Sequence, residues 1–269
     1  MHTLRIGHDI VGQIIARIAN LSGVYLAPYR TEHLRETVER RLQALDLPSF
    51  AAYLSYLEEA PHEPCAMLDE AFIGVTGFFR DAEAFETLSH QLARRFSTHA
   101  APLRAYVAAC STGQEALSIF ILLERLCEAL GLPEPEPLIA TDINPHAIDS
   151  AREGVYSTEQ IRDLSASIRR QFFAPSPHGF LLLKRYRERI RYEVSDVLRG
   201  PPPGHFDLIC CRNLLIYLKP AAQVQLLERL HHALRPDGLL FLGAYESASS
   251  LPALFALVDA EHSIYARRS

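Results

Sequence analysis

From residue 104 to the end of the chain, short apolar runs of strand length alternate with long amphipathic helical patterns, and this alternation narrows the possible folds more than any other feature. Arg104 to Ala109 reads as a strand, Gln114 to Leu130 as a helix, Pro137 to Thr141 as a strand, and another helix begins near Pro145. Such repeats specify a parallel sheet with right-handed crossovers, because a parallel neighbour is reached only by a connection that crosses the sheet face. Later strands fit at Ile190 to Val194, Phe206 to Cys210, Leu239 to Gly243 and Ser263 to Ala266, with helices over about 82–96, 158–173 and 220–234. Phe180 to Tyr186 reads as part of a small antiparallel insertion, placed at about 174–190. Before residue 75 the pattern is helical throughout. Ile10, Ile14, Ile15, Ile18 and Leu21 share one face, Leu34, Val38, Leu42 and Leu45 share another behind Thr31 as a cap, Ser49 opens a third helix, and a fourth covers about 62–73. The expected architecture is an α/β chain: a helical domain over 1–80, a connecting helix over 81–100, and a Rossmann-like sheet domain over 101–269 that carries the insertion.

The strands end in polar residues. Phe206-Asp207-Leu208-Ile209-Cys210-Cys211 is apolar into its last positions and then turns to Arg212-Asn213, so a buried strand delivers polar side chains to one edge of the sheet. Open α/β sheets bind ligands at that edge. The turn Cys110-Ser111-Thr112-Gly113-Gln114-Glu115 follows the first strand and opens a helix, so its amides face a ligand and its glycine permits close approach. A dinucleotide site would show G-x-G-x-x-G here. A single glycine points instead to an adenosine cofactor without pyrophosphate, such as S-adenosylmethionine, with Glu115 offering negative charge to a methionine ammonium. Asp142, at the end of the second strand, is placed to accept hydrogen bonds from ribose hydroxyls. Asn144, immediately before Pro145, is the better helix cap. In Thr76-Gly77-Phe78-Phe79-Arg80-Asp81, at the domain junction, the aromatics read as core and Asp81 as a cap. Arg80, fixed beside two aromatics, is suited to holding a carboxylate at two points.

Composition excludes several classes. A net charge of −5 and a pI near 6.2 argue against a general nucleic-acid binder. No apolar run approaches the roughly 20 residues of a membrane span, and the start Met-His-Thr-Leu-Arg-Ile-Gly-His lacks a signal-peptide core, so a cytoplasmic protein without membrane insertion is expected. Five cysteines, mostly inside apolar patterns, read as reduced buried thiols. His231-His232 is adjacent rather than spaced for shared ligation and no Cys/His cluster occurs, so no metal is expected.

Taken in order, five segments (Thr76 to Asp81, Ala109 to Glu115, Ala140 to Ile143, Phe206 to Tyr217 and Leu242 to Ser247) resemble the chemotaxis receptor methyltransferases, the CheR family, over nearly the whole chain. The resemblance implies a helical N-terminal domain joined to a class I, S-adenosylmethionine-dependent methyltransferase domain, which agrees with the periodicity. It implies methylation of glutamates on the cytoplasmic helices of chemoreceptors, with S-adenosylhomocysteine as the second product. It places Thr76, Arg80, Glu115, Asp142, Arg212 and Asn213 on the cofactor, and Tyr217 with Arg80 on the reacting groups. Four departures from the family pattern occur: Gly74 replaces an asparagine, Ala116-Leu117 a Pro-Tyr pair, Asp196-Val197 an Asn-Leu pair, and Ala244-Tyr245 a His-Ser pair. Gly74, Asp196 and Val197 are still expected to line the cofactor site. The charged residues survive, which favours catalysis over two alternatives: a non-catalytic adaptor that binds cofactor, and a methyltransferase of this fold acting on another protein or a small molecule.

An acceptor glutamate is already ionised at neutral pH and needs no general base. The enzyme's task is alignment and exclusion of water, with Arg80 orienting the carboxylate and Tyr217 beside it. On the helix from Glu32 to Leu45, a rotation of 100° per residue groups His33, Arg40 and Arg41 within roughly 100° of one another, with Glu32, Glu36 and Glu39 opposite. Such a stripe suits an acidic receptor helix. The loop Ala174 to Gly179 looks shorter than in family members that dock on a receptor's C-terminal peptide, so methylation independent of that tether is expected; separately, a monomer is expected.

Overall fold

The computed structural model describes residues 3–72 and 76–268, which form two compact units: Met1–Gly74 with Tyr217–Gln223, and Val75–Ile216 with Val224–Ser269. In the first unit, α1 (Thr3–Ser22), α2 (Thr31–Ala44), α3 (Phe50–Glu59) and α4 (Glu63–Phe72) bury Ile14, Ile18, Leu34, Val38, Tyr53 and Met67. Ser49 caps α3, its hydroxyl accepting from Ala52 N at 3.2 Å. Thr31 is not a cap. The residue before it, Arg30, is extended because Arg30 N donates to Tyr217 O at 2.8 Å and Tyr29 bridges Leu218 in antiparallel fashion, so Thr31 is already the first helical residue.

The second unit runs α5 (Ala82–Phe96), β1 (Ala105–Ala108), α6 (Gln114–Leu130), β2 (Leu138–Asp142), α7 (Pro145–Glu153), β3 (Val155–Tyr156), α8 (Thr158–Ile161), α9 (Ala166–Phe172), β4 (Phe173–Ser176), β5 (Gly179–Leu182), α10 (Lys184–Arg187), β6 (Ile190–Val194), β7 (Phe206–Cys211), α11 (Pro220–Ala233), β8 (Leu234–Leu242), β9 (Phe255–Asp259) and β10 (Ile264–Arg267). Residues up to Gln223 of α11 group with the first unit. The main sheet has the order β6-β2-β1-β7-β8-β10-β9, parallel except where β10 and β9 join antiparallel. β1 and β7 are buried along their whole length, as their unbroken apolar runs require.

The strand order reverses between β1 and β7, and there the connections diverge to leave a crevice at the C-terminal edge. Ala108 lies opposite both Thr141 and Cys211, and Cys211 lies opposite Leu242, so the loops after β2, β1, β7 and β8 leave side by side. Two expectations change. The helix expected over 158–173 is two helices, because Ser157 forms a capping box with Gln160 and Ser165 starts a new helix by accepting from Ile168 N. The insertion begins earlier than expected, with β3 pairing β5 in a sheet of order β3-β5-β4. Among the described residues no helix is long and apolar enough to cross a membrane.

Candidate active site

The turn after β1 is tightly drawn. Ala109 and Ser111 take left-handed conformations at φ 54° and 50°, which cost roughly 1 kcal/mol or more each for residues with a Cβ. Gly113 (φ 92°) has no room for a side chain, since a Cβ there would lie 2.9 Å from both Ala151 Cβ and the Tyr192 hydroxyl. Asp142 holds this turn, accepting from Ser111 N at 2.8 Å on Oδ2 and from Asn144 N at 2.9 Å on Oδ1. It is buried, and burial raises its pKa. Each oxygen keeps a further lone pair for a ligand hydroxyl. Capping of α7 falls to Asn144, whose Oδ1 accepts from His146 N and Ala147 N, as its place before Pro145 requires.

Arg212 is not a surface-lining residue. Its side chain is 1% exposed, with its guanidinium carbon 4.7 Å from the Phe241 ring centroid and 5.5 Å from that of Phe85. Nη1 donates to Arg80 O at 3.1 Å and to Glu115 Oε2 at 3.2 Å, while Nη2 donates to Asp81 Oδ2 at 2.5 Å. The Asp81 carboxylate therefore serves Arg212 rather than capping α5. Phe79 and Asp81 are left-handed at φ 47° and 63°, Phe79 N donates to Ser118 Oγ, and Phe78 packs edge-on against Tyr156 and Phe173. Both aromatics are partly buried against the core, and the loop they fix presents an exposed Arg80. Glu115 faces Arg212 with one oxygen and accepts from the Cys210 thiol with the other, and burial raises its pKa.

Asp196 follows β6, whose last residue Val194 is opposite Asp142. Its Oδ1 accepts from Leu198 N at 2.8 Å, whereas Oδ2 is buried with no partner among the described residues, and burial raises this carboxyl's pKa too. Val197 beside it is buried and Thr76 is half-buried. Gly74 lies outside the described residues.

A family model described as "CheR methyltransferase, SAM binding domain" matches residues 74–264, and one described as "CheR methyltransferase, all-alpha domain" matches 11–71. The chain belongs to the CheR methyltransferase family. A "Chemotaxis protein methyltransferase 2" of Pseudomonas aeruginosa is 34% identical over 242 residues, covering 87% of this chain and 85% of the relative. The "Chemotaxis protein methyltransferase" of Salmonella typhimurium is 34% identical over 254 residues, covering 91% and 86%. An uncharacterized 104.1 kDa protein of Rhodobacter capsulatus is 31% identical over 261 residues, and there the chain spans 96% of itself but 27% of the relative's length. As a CheR-type methyltransferase, the protein uses S-adenosylmethionine.

One residue of the five motif segments carries a structural role that the sequence did not assign to it. Glu246 is 6% exposed, and its carboxylate accepts from Asn213 N (2.8 Å), Leu215 N (2.7 Å), Ile216 N (3.4 Å) and Gly243 N (2.7 Å). It thereby shapes the Arg212-Asn213 loop, with Asn213 left-handed at φ 58°. The sequence signal for it is its place in the Leu242 to Ser247 segment, where the acid follows the Ala244-Tyr245 departure.

The remaining expected site residues lie in the helical unit. Arg41 donates to both carboxylate oxygens of the fully buried Glu63, from Nε at 2.8 Å and from Nη2 at 2.7 Å, and Tyr53 donates to the same carboxylate. Arg40 is half exposed and pairs with Glu70 at 2.8 Å. His33 bonds Ala71 O at 3.1 Å and stacks on Tyr217 at a centroid distance of 4.4 Å. Burial lowers its pKa, so it is neutral at neutral pH and adds no charge to the stripe.

Proposed function

We propose that this CheR methyltransferase esterifies glutamate side chains on the cytoplasmic helices of chemoreceptors, as a cytoplasmic monomer acting without nucleic acid. The Arg212 clamp carries this reading: one buried guanidinium fixes both Glu115 and the Arg80-Asp81 loop at the edge of the sheet where ligands bind. The residues present fit S-adenosylmethionine. Asp142 would take ribose hydroxyls, the unpartnered Asp196 Oδ2 would accept from the adenine amino group with Val197 packing beside it, and the Gly113 turn admits a ligand against its amides. Glu115 would attract the methionine ammonium, with Thr76 and Asn213 completing the wall. The cofactor supplies an electrophilic methyl group, and the acceptor, already an anion, needs only orientation. Arg80 would hold the carboxylate and Tyr217 would stand beside it. Transfer of labelled methyl to receptor cytoplasmic fragments, in base-labile form, tests this. Cofactor binding with no transfer to any fragment would favour the adaptor.

Asp142→Ala is expected to weaken S-adenosylmethionine binding by about 1.5 to 3 kcal/mol, since ribose hydroxyls lose a charged acceptor. The ionised form accepts, and burial raises the pKa, so in the wild type affinity should be full at neutral pH and fall as pH drops, starting above the ordinary aspartate value of about 3.9. Calorimetry across pH checks both. An unchanged affinity in the variant would move the ribose contact elsewhere.

Arg41 is drawn in by the buried Glu63 and burial lowers the His33 pKa, so Arg40, half exposed beside Glu70, is the cation that would meet an acidic receptor helix. Arg40→Glu should raise KM for the receptor, more at low salt than at high, and leave cofactor affinity unchanged. Receptors without a C-terminal tether peptide should be methylated as well as those bearing one. Rates that collapse on deleting that peptide, with Arg40→Glu behaving like wild type, would relocate recognition to the insertion.

A further inference from the structure

The turn after β8 presents an aromatic side chain to solvent from an unusually constrained backbone. Gly243 to Glu246 form a hydrogen-bonded β-turn in which Glu246 N donates to Gly243 O at 3.0 Å and Gly243 N donates back to Glu246 Oε2 at 2.7 Å. Glu246 O accepts from Ser263 Oγ at 3.0 Å, and the Glu246 carboxylate also ties the turn to Asn213 and Leu215. A Cβ at Gly243 would sit 2.7 Å from Glu246 Oε2 and 3.1 Å from Asn213 N, so the two loops are in close apposition. Ala244 and Tyr245 are the central residues of this turn, and Tyr245 is 90% exposed.

A tyrosine at that exposure adds almost nothing to the core. Its position is informative instead. Cys211 is opposite Leu242, so Tyr245 leaves the sheet next to the Arg212-Asn213 loop, on the β8 side of the crevice, while Asp142 and Asp196 belong to the β2 and β6 side. Asp142 and Asp196 would thus hold the ribose and adenine away from the β8 side, and the outer face of the Gly243–Glu246 turn, beyond Asn213, is left for the acceptor.

We propose that Tyr245 is a substrate-anchoring residue whose ring packs on the acidic helical segment carrying the acceptor glutamate. This rests on the glutamate-methylation reading above. A pinned turn has already lost its backbone freedom before the partner arrives, and a tyrosine orders only two torsions on binding, so a large contact forms at small entropic cost. Ala244 and Ser247, both exposed and small, leave the ring uncrowded. The ring face would cover aliphatic parts of a helix while the hydroxyl reaches a neighbouring carboxylate, which suits a helix displaying glutamates.

The test compares wild type, Tyr245→Ala and Tyr245→Phe in steady-state methylation of a receptor cytoplasmic fragment, with S-adenosylmethionine affinity measured by calorimetry. Tyr245→Ala should raise KM for the fragment about tenfold, as loss of an aromatic anchor does, with kcat, cofactor affinity and Tm unchanged. Tyr245→Phe, which keeps the ring, should stay within about threefold of wild type, the span of a single exposed hydrogen bond. A wild-type KM in Tyr245→Ala, beside an active wild type, would overturn the anchor alone, as would a loss of cofactor affinity. Failure of the wild type to methylate any receptor fragment would remove the glutamate reading and this partner together.

Discussion

Arg212→Met is expected to lose about 3 to 5 kcal/mol of stability and to reduce methyl transfer far more than its neighbours' exposure would indicate. Methionine fills the slot between Phe85 and Phe241 but leaves the Glu115 carboxylate, 12% exposed, without its cation and the Arg80 carbonyl without its donor. A buried charge stripped of its partner costs more than the pair was worth, so Arg212→Met combined with Glu115→Gln should recover part of the stability. Activity should not return with it, because the Arg80-Asp81 loop stays unpinned. Chemical denaturation and methyl transfer, measured on the same preparations, separate the two effects. Wild-type stability in the single variant would mean that the clamp contributes nothing.

Arg41→Ala should be comparably severe in the helical unit, at about 3 to 5 kcal/mol, because Glu63 is wholly buried and would face Tyr53 alone. Arg40→Ala, one residue earlier and paired with a partly exposed Glu70, should stay within about 1 kcal/mol of wild type. Thermal melts followed by far-UV circular dichroism distinguish them. Equal melting temperatures would return Arg41 to the surface role that the helical wheel gave it.

That contrast shows where sequence reading reaches its limit. Periodicity located α5 at Ala82–Phe96, α6 at Gln114–Leu130 and β6 at Ile190–Val194, because each is amphipathic or apolar over its own length. The wheel also grouped Arg40 with Arg41, but it could not register Glu63, 22 residues away on another helix, as the acid that claims one of them. The bracing contacts of Arg212 and Glu246 were hidden for the same reason: their partners are 131 and 33 residues distant, at Asp81 and Asn213. The strand-end arginine expected at the cofactor also braces the Arg80-Asp81 loop from a buried position. β9 escaped because Phe255-Ala256-Leu257-Val258-Asp259 has no clean alternation, and it exists by virtue of pairing with β10.

The short bridge between Tyr29-Arg30 and Tyr217-Leu218 bears on how such a protein can be divided. Lys219 reinforces it, its backbone N donating to Pro28 O at 2.9 Å and its Nζ to Ala27 O at 2.8 Å. The tyrosine assigned to the reacting groups therefore owes its setting to residues nearly two hundred positions earlier. A fragment cut at the start of the nucleotide-binding fold would keep every carboxylate around Asp142 and still lack the surroundings of Tyr217. Swapping helical domains between relatives would likewise exchange the residues that hold Tyr217 along with Arg40, so such chimaeras test both proposed roles at once.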